Sequence, residues 1–179
     1  MINKMLEGAE YSEMFFKKET INKILKNKEK LEKKLKVKLE IKNSEVEISG
    51  EQIDIFEAEI VLSAIERSFP INAALLLLDE NYMLEDIPIK KITRKNPKLV
   101  KSRIIGTKGK TLKLLSELSN CYIALHNNTV SIIGLNDKVK EAASAIRSLI
   151  LGSKQSNVYK YLEKSREKVF PEDLGLKEE

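Results

Sequence analysis

The 179-residue chain reads as an α+β protein built from two copies of one small domain, each running strand, helix, helix, strand, strand, helix. Three observations carry that reading. Shifting the sequence by 84 residues lines up its halves without a gap, apolar runs falling on apolar runs. Each half pairs two short β-prone runs and follows them with a segment of helical apolar spacing. In the second half two glycines three apart, Gly106 and Gly109, separate two helical segments.

The repeat is legible residue by residue. Lys36–Ile41 falls on Asn120–Leu125, Val46–Gly50 falls on Val130–Gly134, and the Ile55 and Ala58 pair falls on Val139 and Ala142. Self-similarity at a fixed offset implies duplicated units rather than one large core. The expected division is residues 1–84, 85–166 and a tail over 167–179, of which 171–179 is acidic and expected to fray.

In the first copy a Lys/Glu-rich helix is expected over roughly Lys26–Leu35, then strands 37–41 and 45–49 and a helix near Gln52–Arg67. Ser68-Phe69-Pro70 ends that helix. A short apolar helix around Leu75–Leu78 is expected to dock between the domains. In the second copy Ile87, Ile89 and Ile92 suggest a strand, with Pro88 at its edge or start. Asn96-Pro97 opens a helix running to Ile105. Beyond the glycines, Leu112, Leu115 and Leu118 repeat on one helical face. Tyr122–Leu125 and Thr129–Ile133 form a hairpin around Asn127-Asn128. Asn136 or Asp137 can cap a last helix that carries Val139, Ala142, Ala143, Ile146 and Ile150 and ends at Gly152.

Charge separates the copies. Residues 1–84 hold 13 Lys and Arg against 16 Asp and Glu, whereas residues 85–179 hold 19 against 11. Ten of those basic residues fall within 87–120 beside one acid, Glu117. A basic cluster around paired glycines is the composition of a phosphate-facing surface. Glycine permits a tight turn and close approach of a ligand to the main chain, and amides at a helix start attract anions.

Several function classes are excluded. One cysteine, Cys121, leaves no internal disulfide and suits a reducing compartment. One histidine, His126, leaves no histidine zinc site, and no cofactor is expected. No apolar run reaches membrane-spanning length, and the N-terminus lacks a signal-peptide layout. Gly109-Lys110-Thr111 imitates the end of a P-loop, but Ile104 stands where that loop needs its first glycine. The Leu75–Leu78 run with Asp79-Glu80 precedes the lysine, the reverse of the usual order for a magnesium-holding acid. No catalytic constellation emerges, so an enzyme is not expected.

Ile-Ile-Gly-Thr-Lys-Gly between two helices and ahead of a hairpin resembles a type I KH domain. Such a domain (βααββα) has a three-stranded sheet with three helices on one face, and its GxxG loop clamps single-stranded RNA. Two in tandem are expected, the first without a GxxG. Leu77–Glu85, Arg103–Gly106, Gly109–Thr111, Gly152 and Val158–Lys164 narrow the likeness to the archaeal partner-of-Nob, or Dim-two, proteins. That resemblance implies binding of 16S rRNA near its 3′ end, contact with a Nob-type endonuclease, ribosome assembly, and a cytoplasmic monomer with no membrane role. Carried onto this chain, Gly106 and Gly109 would offer backbone amides to phosphates, beside Thr107. Arg103, Lys108, Lys110 and Lys113 would neutralise charge, and Ile104, Ile105, Ile123 and Leu125 would floor the base groove. A protein adaptor, with RNA contact secondary, is the alternative.

Two positions depart from that pattern. The first copy has no glycine between Gly8 and Gly50, so its turn falls at Asn22–Leu25 by ungapped alignment or at Lys26–Glu29 by anchoring on the helix. Gln155-Ser156 stands where the resembled group has His-Gly.

Overall fold

The computed structural model describes residues 10–167. The expected acidic tail at 171–179 lies outside them. The chain divides into two compact units between Glu80 and Asn81, four residues before the expected boundary. The shift arises because Tyr82–Leu84 pair with a strand of the second unit.

In the first unit, β1 (Glu10–Phe15) leads into α1 (Lys18–Lys26) and α2 (Lys28–Leu35), followed by β2 (Lys38–Lys42), β3 (Glu45–Gly50) and α3 (Gln52–Glu66). A one-turn helix α4 (Ile71–Ala74) and a 3-10 turn over Leu75–Leu78 follow. The three strands form an antiparallel sheet in the order β1-β3-β2. Val46 and Ile48 of the central strand are fully buried. Ile24, Leu31 and Leu35 from the helical hairpin and Val61, Leu62 and Ile65 from α3 supply further buried side chains of this unit. The junction between α1 and α2 falls at Asn27, which settles the turn at Lys26–Glu29. The apolar turn at Leu75–Leu78 packs against α3 and α4 of this unit.

The second unit repeats the order. It runs β4 (Tyr82–Pro88), α5 (Ile89–Ile92), α6 (Pro97–Ile105), α7 (Lys110–Ser119), β5 (Tyr122–His126), β6 (Thr129–Leu135), α8 (Asn136–Leu151) and α9 (Gln155–Glu167). Its antiparallel sheet has the order β4-β6-β5, with Tyr82 opposite Leu135 and Ile123 opposite Ile132. The strand expected at Ile87–Ile92 is displaced: β4 ends at Pro88, and Ile89 and Ile92 lie on a helical turn. A three-residue spacing is helical rather than extended, and proline has no N–H to continue the ladder. Asn96 caps α6, its Oδ1 accepting from Lys98 N at 2.9 Å, with Pro97 in the first turn. Helix α8 opens behind Leu135 at the N-cap, with Asp137 in its first turn rather than at the cap.

The core of this unit gathers Val100, Ile104, Leu115, Val130, Ile132, Ala142, Ala143 and Ile146. It also takes Val158 and Leu162 from α9, a helix beyond the three that the expected βααββα unit contains. Burying large aliphatic side chains of this kind stabilises by roughly 1.5–3 kcal/mol each. Among the described residues no helix is long and apolar enough to cross a membrane.

Candidate nucleic-acid interface

The Gly106–Gly109 loop is a departure from helical backbone held between two helices. Gly106 ends α6 at φ +71°, Lys108 sits at φ +54° and Gly109 at φ +76°. Left-handed backbone at a residue with a side chain, such as Lys108, costs about 1–2 kcal/mol. The two glycines serve different needs. A Cβ on Gly106 would lie 2.1 Å from Thr111 Oγ1 and 2.9 Å from Thr111 N, so only glycine fits. A Cβ on Gly109 would meet nothing within 4 Å. Gly106 is therefore required by packing, whereas Gly109 leaves its side of the loop open.

The loop's amides are partly spent on itself. Gly106 N donates to Ser102 O at 2.8 Å, Gly109 N to Gly106 O at 3.3 Å, and Lys110 N to Thr107 O. The expectation that both glycine amides face a phosphate is thereby corrected. Thr107 and Lys108, both exposed, have amides outside these bonds.

Beside the loop, α6 and the β5–β6 hairpin enclose a groove of about 500 Å³ lined by Lys98, Lys101, Ser102, Ile105, Leu125 and Asn127. Ile105 is 38% exposed, and Leu125 is half-buried where it packs on the core. Lys101 Nζ donates to Asn127 O at 3.1 Å. The groove thus has an apolar wall, a cationic rim and an open end, a combination suited to a flat base with a phosphate attached.

The expected site residues divide on this geometry. Ile105, Leu125, Gly106, Thr107, Lys108, Gly109 and Lys110 lie at the loop or groove. Ile104 is corrected to the core, at 0% exposed: successive residues on a helix point about 100° apart, so Ile104 turns into the core while Ile105 borders the groove. Ile123 is half-buried against the same core. Lys113 is exposed one turn along α7 and pairs with Glu117 at 3.7 Å.

Arg103 is committed elsewhere. Its Nη2 donates to Gly152 O at 3.1 Å and also to Ser153 O. Lys95 Nζ donates to Leu151 O at 2.9 Å. Both cations cap the carbonyl end of α8, where a helix dipole favours positive charge. Gln155, at the start of α9, completes the contact: its Nε2 donates to Arg103 O at 3.1 Å and to Thr111 Oγ1 at 3.0 Å.

The residues from 83 to 167 match a family model, that of the second KH domain of PNO1, described as a eukaryotic type KH-domain, KH-domain type I. The chain is also similar to Dim2p of Pyrococcus horikoshii, at 30% identity and a TM-score of 0.75, over 87% of this chain and 99% of that one. The chain belongs to the PNO1/Dim2 type of KH-domain proteins. KH domains are RNA-binding modules. A second Pyrococcus horikoshii structure, of Dim2p in complex with a/eIF2alpha and rRNA, is similar at 29% identity and a TM-score of 0.78, covering 91% and 97% of the two chains. A KH domain-containing protein of Methanocaldococcus jannaschii is 32% identical over 150 residues, which are 79% of this chain and 66% of that protein.

Lys98, Lys101, Ser102 and Asn127, which line the groove, and Gln155, which bonds to both sides of the loop, are residues that sequence reasoning left out of the candidate site. Lys98 and Lys101 stood in the basic cluster, and their three-residue spacing along α6 was the available signal. Gln155 stood out in the sequence as a departure from the resembled group's His-Gly, but its contact with the loop arises through tertiary packing. Cys121 is buried, and burial pushes its thiol up to about 11, as an unreactive core residue requires. Among the described residues no cluster of His, Cys, Asp or Glu could hold a metal ion.

Proposed function

We propose that the chain binds single-stranded RNA across the α6–β5 groove, with the phosphate backbone held at the Gly106–Gly109 loop. It acts by binding rather than catalysis, as a cytoplasmic monomer in small-subunit ribosome assembly near the 3′ end of 16S rRNA. The observation that carries this reading is the junction of the apolar-walled groove with the open side of Gly109. Thr107 and Lys108 offer amides, Lys108 and Lys110 add charge, and Ile105 and Leu125 give bases an apolar surface. The rRNA in the complex of the similar Pyrococcus horikoshii protein supports the choice of ligand.

In this reading the first unit is a second KH-type fold without a clamp, supported by its shared element order and its equivalent strand order β1-β3-β2. The paired substitution Thr107→Asp and Lys108→Asp tests the RNA site, because exposed side chains can change without disturbing the core. Affinity for a single-stranded RNA decamer from the 16S 3′ end is expected to fall at least tenfold, with an unchanged melting temperature. Equal affinity in wild type and variant would overturn the reading. Binding should also weaken as salt rises, since displaced counterions accompany each phosphate contact.

Protein docking is favoured as an added role by one feature of the first unit. Helix α3 buries Ile55, Ala58, Val61, Leu62 and Ile65, yet Ile53 and Phe56 stand 67% and 61% exposed. Residues 51–66 carry Glu51, Asp54, Glu57, Glu59 and Glu66 with no Lys or Arg. An acidic, partly apolar helix face suits a basic protein segment and repels RNA. A Nob-type endonuclease is the partner that the family resemblance supplies. Replacing Ile53 and Phe56 with serine should abolish RNase-resistant co-purification of that nuclease, and full retention would remove α3 as its site.

A further inference from the structure

We infer that Gln155 is a positioning residue that braces the RNA loop from behind, so that the α8–α9 turn presets the conformation on which the RNA reading above depends. The loop begins at the end of α6 and finishes at the first turn of α7. One side-chain amide touches both banks. Gln155 Nε2 donates to Arg103 O in the last turn of α6 and to Thr111 Oγ1 in the first turn of α7. Both contacts are part-buried, and Thr111 itself is buried.

Thr111 is also the residue that leaves Gly106 no room for a Cβ. A hydrogen bond on its hydroxyl therefore acts at the tightest point of the loop. Arg103 returns the contact, gripping the carbonyls of Gly152 and Ser153, while Lys95 holds Leu151 O. The turn that carries Gln155 is thus tied to the clamp from both directions. Val158 and Leu162 anchor α9 in the core, so the brace rests on a packed helix rather than on a free strand.

The loop gains from such a brace because its backbone is not self-supporting. Three of its four residues have positive φ, one of them Lys108, and its internal bonds are few. A loop held ready for its ligand avoids an ordering cost on binding. A loop that must be ordered first binds with an affinity reduced by its competent fraction.

The test is carried out on the full chain. Amide hydrogen exchange is followed at Gly106 and Gly109 in wild type, Gln155→Ala and Thr111→Val, with Val130 and Ile132 of β6 as the reference for global stability. RNA affinity is measured in parallel on a fluorescein-labelled, random-sequence single-stranded RNA decamer. Both variants are expected to speed exchange at Gly106 and Gly109 about tenfold while β6 stays protected, and to weaken RNA binding roughly three- to tenfold. Gln155→His, which keeps an N–H donor, should recover most of both losses.

Unchanged exchange at Gly106 and Gly109 in Gln155→Ala would overturn the brace, whatever the RNA result. Faster exchange throughout β6 as well would also overturn it, by showing a general structural role. Faster loop exchange with no RNA binding in wild type would leave the brace standing and remove the RNA reading instead. Faster loop exchange with undiminished RNA affinity, in a protein whose Thr107→Asp, Lys108→Asp variant loses binding, would refute preorganisation.

Discussion

The helix–helix turn of the first unit and that of the second occupy the same place in the same element order, and they are built from opposite backbone chemistry. In the first, Asn27 makes the turn alone at φ −125°. Its backbone N–H donates to Ile24 O and its side-chain amide to Lys23 O, both at 3.0 Å. In the second, four residues make the turn, three with positive φ, and one flank is left open at Gly109. The first turn spends Asn27's own donors on the preceding helix, although Leu25–Lys30 line a pocket of about 490 Å³ that includes three lysines. An open turn keeps donors and space in hand and needs neighbours to hold it. Topology alone therefore does not fix the character of the turn; the residues that make it and their supports do.

The largest effect is expected at the second turn's glycines, which separate packing from function. Gly106→Ala would drive a Cβ into Thr111 at a residue already at φ +71°. Overpacking and left-handed strain together make it about 3 kcal/mol less stable. Gly109→Ala adds strain but no clash, for about 1 kcal/mol. Urea unfolding followed by a probe in the second unit measures both. The Gly109 variant should nevertheless bind RNA markedly less well, since the methyl group occupies the loop's open side. Equal destabilisation by the two substitutions would show that this side is not open.

Much of this architecture was legible in the chain. The 84-residue offset placed both hairpins, because period-2 apolar patterns and turn residues such as Asn127-Asn128 are local signals. Val130 and Ile132, which the offset aligns with Val46 and Ile48, are all fully buried. What escaped depends on tertiary contact. Ile87, Ile89 and Ile92 fit both a strand and a helical turn, and only the pairing of Tyr82–Pro88 with β6 decides between them. Arg103 reads as a phosphate ligand by neighbourhood, yet the carbonyl end of α8 lies within its reach. Ile104 and Ile105 are adjacent and chemically identical, and helical geometry sends one into the core and the other into the groove. Gln155 lies 44 positions from its partner Thr111, beyond any spacing rule.

A smaller effect distinguishes the two cores by pH. The chain's one cysteine, Cys121, lies in the second unit and is raised by burial from 9.0 to about 11. An acid whose folded pKa is raised binds its proton more tightly in the native state. Between about pH 9 and 11 the unfolded thiol therefore ionises first, and stability falls as pH rises. The loss approaches about 2–3 kcal/mol at the upper end, from the free energy of about 1.4 kcal/mol per pKa unit. The first unit has no thiol and should not share this loss. Urea titrations at pH 8 and 10.5, with and without Cys121→Ala, check it through the difference between the two pH values. An equal alkaline loss in the alanine variant would assign the effect to another group.

The smallest effect comes from transplanting the turn itself. Replacing Lys26-Asn27-Lys28-Glu29 with Gly-Thr-Lys-Gly gives the first unit the second unit's backbone chemistry at the matching position. Lysines remain nearby, since residues 17–42 hold eleven Lys against four Glu, so phosphate attraction is available. The brace is not. The first unit's third major helix is followed by α4 against α3. There Asn72 Oδ1 accepts from Lys30 Nζ at 2.6 Å on the α2 bank alone, and among the described residues no side chain is seen to span both banks of the turn. The transplanted loop is thus expected to be open but unheld. In a background where Thr107→Asp and Lys108→Asp have disabled the second loop, RNA affinity should rise only two- to threefold. A recovery to the wild-type level would mean that the four residues suffice, and that the α8–α9 turn adds nothing to the clamp.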